Sequence, residues 1–279
     1  HTHTEIALAS LKSHCHIFIE KPLAIDLKSA IILSNAVKKT NIITMVGYMM
    51  RYSDTFNKAK DILVKKTLGK IISFNASTYV SQLFKTGKGW RYEPKKSGGG
   101  VIITQGVHAL DLINWYFGLP NIINARFNNF YSKNVEDFGH IDMVWKKGLT
   151  GWLDSSWSVD IHRLLETSFC INGEKGTLMV NDDMVKLYLR QQCKDYPIGW
   201  TIWDKVDLFT GVEIDIGQPQ YTREDKDFLH AIIKKKQLTT KTEEDILYLN
   251  EFWQPLKIGI DAGSGSLGVG IFDRLMQNI

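Results

Sequence analysis

Apolar and polar positions in this chain follow two periods, and the change from one to the other divides it. In residues 4–13, Ile6, Ala7, Leu8 and Leu11 fall at helical spacing behind Thr4, a residue type that caps helices, so the pattern predicts a short helix. "IFIE" (17–20) is apolar without alternation, the pattern of a strand buried on both faces. Asp26 stands where it can cap a helix running to Lys39, with Ile31, Leu33, Ala36 and Val37 among its apolar positions. "NIITMVGYMM" (41–50) reads as a second continuous apolar strand. Helix, strand, helix and strand with short connections predict a parallel sheet covered by helices, the doubly wound architecture.

A helix over 53–66 and the turn Leu68-Gly69-Lys70 end this part. "KIISFNASTYV", "IINARFNNFYS", "FGHIDMVWKKGLTGWLDSSWSV" and "TSFCINGEKGTLMVNDDMVKLYLR" then alternate as longer strands, with hairpin turns at Lys147-Gly148 and Gly173-Glu174-Lys175-Gly176. An amphipathic helix is expected over 99–117, and two more over 222–235 and 242–253. The predicted fold is α/β plus α+β: a partial Rossmann domain (1–68), an open, mainly antiparallel sheet domain with helices on one face (69–256), and an atypical glycine-rich tail (257–279).

Composition narrows the function classes. The chain has 279 residues, 44% hydrophobic and 23% charged, the balance of a globular protein with a sizeable core. No apolar run reaches the roughly 18 to 20 residues that cross a bilayer, and the first residues lack a signal-peptide layout, so a cytoplasmic location without membrane contact is expected. Cys15, Cys170 and Cys193 show neither CxxC nor zinc-site spacing and read as reduced thiols, with no metal site. A formal charge of +4 with scattered lysines argues against nucleic acid, and the run Lys234 to Lys236 reads as a solvated helix end.

Chemistry concentrates at two places. Lys21 follows "IFIE" at the carboxyl end of a strand, where doubly wound sheets keep their ligand crevice. An ammonium there can donate to a substrate hydroxyl, and partial burial lowers its pKa toward proton transfer; a surface Glu-Lys pair at a strand end is the plain alternative. Pro22 fixes the turn and allows a cis bond that aims the lysine inward. On the helix over 99–117, Thr104, His108 and Asp111 share one face, so an imidazole can meet a ligand beside a hydroxyl; the alternative is a satisfied structural histidine. Gly98, Gly99 and Gly100 ahead of them permit close approach of backbone or ligand. Trp145, Trp152 and Trp157 serve either the core or a covered sheet face.

Taken in order, "THTEIALASLKSHCHIFIEKPLA", "VGYMMRY" and "GWRYEPKKSGGGVIITQGVHALDLINWYFG" resemble the successive motifs of the Gfo/Idh/MocA family of NAD(P)-dependent sugar oxidoreductases, over about 2–253. The resemblance implies NAD or NADP as cofactor and a sugar or nucleotide-sugar substrate, as in members that oxidise the 3-hydroxyl of UDP-N-acetylhexosamines. It makes Lys21 the lysine that orients the nicotinamide and assists the proton, His108 an acid/base near the sugar, and His3, Glu20, Pro22, Trp90 and Arg91 cofactor-site residues. It puts Arg51 and Thr104 on the substrate side; many relatives carry aspartate where this chain has Thr104, leaving Lys21 and His108 to handle the proton. A homodimer or homotetramer through the open sheet is also implied. The charges in "IFIEKP" are thereby explained by a cofactor at the strand tip, where lysine stabilises an alkoxide.

Relatives begin with a strand, glycine-rich turn and helix that hold the pyrophosphate, and this chain starts after that point. The expectation is that on the order of 80 residues are missing, so that NAD(P) binds weakly or not at all. The alternative is a non-catalytic sugar-binding or assembly protein derived from the family. The last residues satisfy GxGxxG at Gly263, Gly265 and Gly268, while "IGIDAGSGS" with "VGIFD" resembles the first hairpin of carbohydrate kinases; a surface tail is the third reading.

Overall fold

The computed structural model describes residues 1–81 and 88–235. The helix expected over 242–253, the tail over 257–279 and Lys236 lie outside the described residues.

Two strands, β1 (Ile17–Glu20) and β2 (Thr44–Gly47), pair in parallel. Helix α1 (His3–Lys12) leads into β1, and α2 (Leu27–Val37) makes the crossover that a parallel pair requires. Asp26 caps α2, its carboxylate accepting from the Ser29 N–H at 2.8 Å. Helix α1 starts one residue earlier than its pattern suggested, so Thr2 takes the cap position and Thr4 lies inside the helix. In β1, Ile17 and Ile19 pack toward Leu33 and Val37 of α2. Phe18 points the other way, edge-on to Phe228 of a distant helix at 5.7 Å between ring centroids. This two-sided cover is why the strand is apolar without alternation, up to the exposed Glu20.

A 3₁₀ turn (Met49–Tyr52) and α3 (Asp54–Val64) connect to a second, eight-stranded sheet. Its strands are β3 (Ile71–Tyr79), β4 (Ile122–Asn128), β5 (Phe138–Val144), β6 (Thr150–Ser156), β7 (Glu166–Gly173), β8 (Gly176–Asn181), β9 (Met184–Leu189) and β10 (Gly199–Asp204). They lie in the order β10-β9-β8-β7-β3-β6-β5-β4. All neighbours are antiparallel except β3 and β6, so the sheet is mixed. Strand β10 is absent from the sequence pattern: it is a short strand at the edge of the sheet that, among the described residues, pairs with β9. Helices α4 (Pro94–Ser97), α5 (Val107–Phe117), α6 (Lys205–Leu208) and α7 (Pro219–Ile233) complete the described elements.

The register explains the alternation. Ile141, Leu153, Ala76, Phe169, Val180 and Val185 form one continuous row across six strands, and each is buried. On the opposite face the corresponding row is Asp142, Trp152, Asn75, Cys170, Met179, Lys186 and Ile202. Helices α3 and α5 cover the first face, with Phe74 stacked on Phe117 at 4.6 Å. Each large side chain so buried contributes about 2 kcal/mol. Trp145 and Trp157 belong to this core, whereas Trp152 is exposed on the second face beside Met179, Tyr188, Trp200 and Ile202. Among the described residues, no helix is long and apolar enough to cross a membrane.

Candidate functional site

The tip of β1 points at the start of α5. The Lys21–Pro22 peptide is cis, and the Lys21 ammonium donates to the backbone carbonyl of Thr104. Burial lowers the lysine's pKa to about 8, against the opposing pull of Glu20 and with a smaller push from Arg91. The imidazole of His3, on α1, pairs with the Pro22 carbonyl at 2.8 Å, tying the strand-end turn to the neighbouring helix. Glu20 is solvent-exposed.

His108 occupies the first turn of α5 and is 4% exposed. Its ring meets Tyr48 edge-on at 6.4 Å, and among the described residues its Nδ1 has no hydrogen-bond partner. Burial first, and the charge of Lys21 second, hold its pKa well below the usual histidine range, so the imidazole is neutral and keeps a lone pair. A buried ring nitrogen with unused bonding capacity, within the field of an ammonium, can accept from a hydroxyl brought beside it.

The segment leading to His108 is not the single amphipathic helix that periodicity suggests. Gly98 takes φ +81, Ile102–Gly106 form one π turn, and only then does α5 begin. Glu136, a fully buried residue in the loop before β5, holds the start of this segment. Its carboxylate accepts from the N–H groups of Gly100 at 2.7 Å and Ile102 at 3.1 Å, and its backbone carbonyl accepts from Val101 at 2.9 Å. A Cβ on Gly100 would stand 1.8 Å from that carbonyl oxygen, so only glycine fits. The side chain of Thr104 turns back onto its own helix, donating to the Gly100 carbonyl at 2.7 Å, while its main-chain carbonyl receives Lys21. Thr104 thus reaches the lysine through its backbone and not through the hydroxyl. Glu136 escaped the sequence reading because a clamp on backbone N–H groups leaves no side-chain periodicity; the "VED" between two strands is its only trace.

The remaining candidates divide. Arg51 forms a two-pronged pair with Asp111, Nε to Oδ2 at 2.7 Å and Nη2 to Oδ1 at 2.8 Å, with both residues buried. The face shared by His108 and Asp111 therefore serves two purposes, and the guanidinium fork of Arg51 lies in a structural ion pair, alongside the Trp115 ring. Trp90 and Arg91 sit on an exposed 3₁₀ turn, the guanidinium 5.1 Å from the indole centroid, and the charge of Arg91 is felt at Lys21. Lys21, His108, Thr104 and Arg91 are thus brought together, with His3 and Pro22 behind them, while Arg51 is diverted into the core.

Two family models cover most of this architecture. Residues 1–48 match that described as "Oxidoreductase family, NAD-binding Rossmann fold", and residues 56–179 match the GFO/IDH/MocA C-terminal domain. The chain belongs to the Gfo/Idh/MocA family. Among curated members, it is 30% identical to Oxidoreductase P35 of Formosa agariphila over 63% of this chain and 55% of that one. It is 30% identical to levoglucosan dehydrogenase of Pseudarthrobacter phenanthrenivorans (52% and 37%), and 29% to glucose-6-phosphate 3-dehydrogenase of Bacillus subtilis (48% and 39%). The chain thus spans between 37% and 55% of the length of these relatives. A solved structure of levoglucosan dehydrogenase in complex with NADH superposes with a TM-score of 0.82 at 20% identity, over 95% of this chain and 76% of that one, a likeness of fold.

Proposed function

We propose that this Gfo/Idh/MocA chain carries the nicotinamide end and substrate side of an NAD(P)-dependent oxidoreductase acting on a ring hydroxyl of a sugar. The observation that carries this reading is the Lys21 ammonium, fixed on the Thr104 carbonyl beside a buried, neutral His108. A buried imidazole nitrogen without a partner among the described residues, and an ammonium at a strand tip, fit a site where a hydroxyl must be held and deprotonated. When bound, the nicotinamide supplies hydride acceptor and donor chemistry.

The chain's own residues do the rest. Lys21 orients the hydroxyl and stabilises the oxyanion; with its pKa near 8 it exchanges a proton close to neutral pH. His108 offers the lone pair that takes the hydroxyl proton, and its burial excludes water. With Thr104 in the position where the resemblance puts an aspartate, that position offers no carboxylate to share this task. His3 and Pro22 hold the strand-end turn, and Trp90 and Arg91 border the cofactor side. The names of the relatives favour free, anhydro- or phosphorylated sugars, and a nucleotide-linked hexose remains in the substrate panel. We also assign residues 1–68 to the dinucleotide-binding domain and 69–256 to the substrate domain. The exposed face bearing Trp152, Met179, Tyr188, Trp200 and Ile202 is read as the contact between identical subunits. Light scattering tests it: Trp200→Glu is expected to release monomers, and a monomeric parent would refute it.

The functional test measures NAD and NADP binding and turnover on a sugar panel, for this chain and for the full-length product of its gene. Lys21→Met and His108→Gln are each expected to reduce turnover at least about a hundredfold. If both variants turn over like the parent, the assignment is wrong. If sugar binds but neither cofactor does in either length, a sugar-binding protein takes its place.

A further inference from the structure

Glu136 lies outside the constellation just described, yet it is bonded to the turn that leads into the element presenting it. Three consecutive N–H groups, those of Gly100, Val101 and Ile102, all end on this one residue, two on its carboxylate and one on its backbone carbonyl. Helix N-termini leave such N–H groups without partners inside the helix, and an anionic acceptor also meets the positive end of the helix dipole. From that fixed point the connection to the site is short. The Gly100 carbonyl accepts from both the N–H and the hydroxyl of Thr104, and the Thr104 carbonyl receives the Lys21 ammonium. Gly100 admits no side chain, because a Cβ would strike the Glu136 carbonyl, so turn and clamp fit in one arrangement only.

We propose that Glu136 is a positioning residue: by holding the Gly100–Ile102 turn it sets the Thr104 carbonyl, and through it the direction and proton affinity of Lys21. This deepens the oxidoreductase reading and rests on it for the meaning of Lys21, but not for the coupling itself. The clamp needs both carboxylate oxygens as acceptors. A proton on either would turn an acceptor into a donor facing an N–H, so the ionised form is the one that holds the turn. Burial raises the Glu136 pKa to about 7, and the neighbouring charge of Asp137 adds to that rise; the N–H bonds from Gly100 and Ile102 oppose it. Asp137 turns its own carboxylate away, to the N–H groups of Phe130, Tyr131 and Ser132. Among the described residues, Asp137 is the charged group that acts on Glu136.

The test reads Lys21 without requiring catalysis. Lysines of the whole chain are tagged with ¹³C-methyl groups, the Lys21 signal is assigned with Lys21→Arg, and its titration is followed by NMR in the parent and in Glu136→Gln. The amide keeps the size of the acid but presents one donor to the turn, so the Lys21 midpoint is expected to move by half a pH unit or more with the melting temperature within a few degrees of the parent. An unchanged Lys21 midpoint in folded Glu136→Gln overturns the proposal. If that variant does not fold, the parent decides: the Gly100 and Ile102 amide signals and the Lys21 signal must share an inflection at the Glu136 midpoint, and its absence at Lys21 overturns the proposal equally. A shifted Lys21 in a protein that turns over no sugar would refute the oxidoreductase reading and leave the coupling standing; turnover with an unshifted Lys21 would do the reverse.

Discussion

Asp111→Leu is the sharpest perturbation available, because it isolates one buried charge. Arg51 and Asp111 are 6% and 1% exposed and share two short bonds, 2.7 and 2.8 Å. Removing the carboxylate strips the buried guanidinium of both bonds of this fork, a loss of about 3–5 kcal/mol for a broken buried pair. Replacing both partners, as in Arg51→Met with Asp111→Leu, removes the desolvation penalty together with the pair and is expected to lose about 1 kcal/mol or gain stability. Arg51→Met alone should cost a comparable amount, so the double variant should lose less than either single and far less than their sum. Urea unfolding followed by tryptophan fluorescence reads this directly, since Trp115 lies beside Arg51. With an m-value of about 3 kcal/mol/M, the single variant shifts the midpoint down by more than about 1 M. The exposed pair Lys65–Asp61 serves as control, and Asp61→Ala is expected to leave the urea midpoint unchanged. The reasoning fails if Asp111→Leu loses less than about 1 kcal/mol, or if the double variant loses the sum of the two singles.

Three further outcomes are expected. The folded-state pKa of Lys21 lies below its unfolded value, so the unfolded chain binds more protons between pH 8 and 10.5, and stability should rise with pH across that window by up to about 3 kcal/mol; Lys21→Met should flatten the slope, and a variant that keeps it would point to another group. The pKa of His108 is likewise depressed by burial and by Lys21, so stability should fall as pH drops below about 6.5, and His108→Gln should remove part of that loss in melting curves. Gly100→Ala, whose Cβ would overlap the Glu136 carbonyl, should cost on the order of 3 kcal/mol or more, whereas Gly148→Ala, at positive φ but in open space, should cost about 1 kcal/mol; equal melting temperatures for the two would refute the clamp geometry.

What the sequence determined by itself is local. Continuous apolar runs announced β1 and β2, alternation announced the outer and inner rows of the large sheet, and Asp26 marked the start of α2, because side-chain periodicity reports which faces are covered. The placement of Lys21 at a strand tip and His108 on a glycine-led helix was legible for the same reason. Their meeting was legible only through the family resemblance, since they are 87 positions apart in the chain, and it is the tertiary structure that brings the lysine onto the Thr104 carbonyl. Periodicity also could not foresee the π turn, the edge strand β10, the pairing of Arg51 with Asp111 or the grip of Glu136 on three N–H groups. Each depends on a partner that local periodicity does not report, and in a backbone clamp the groups that bond are the same in every residue; which of them are held is decided by the packing that buries the carboxylate against them.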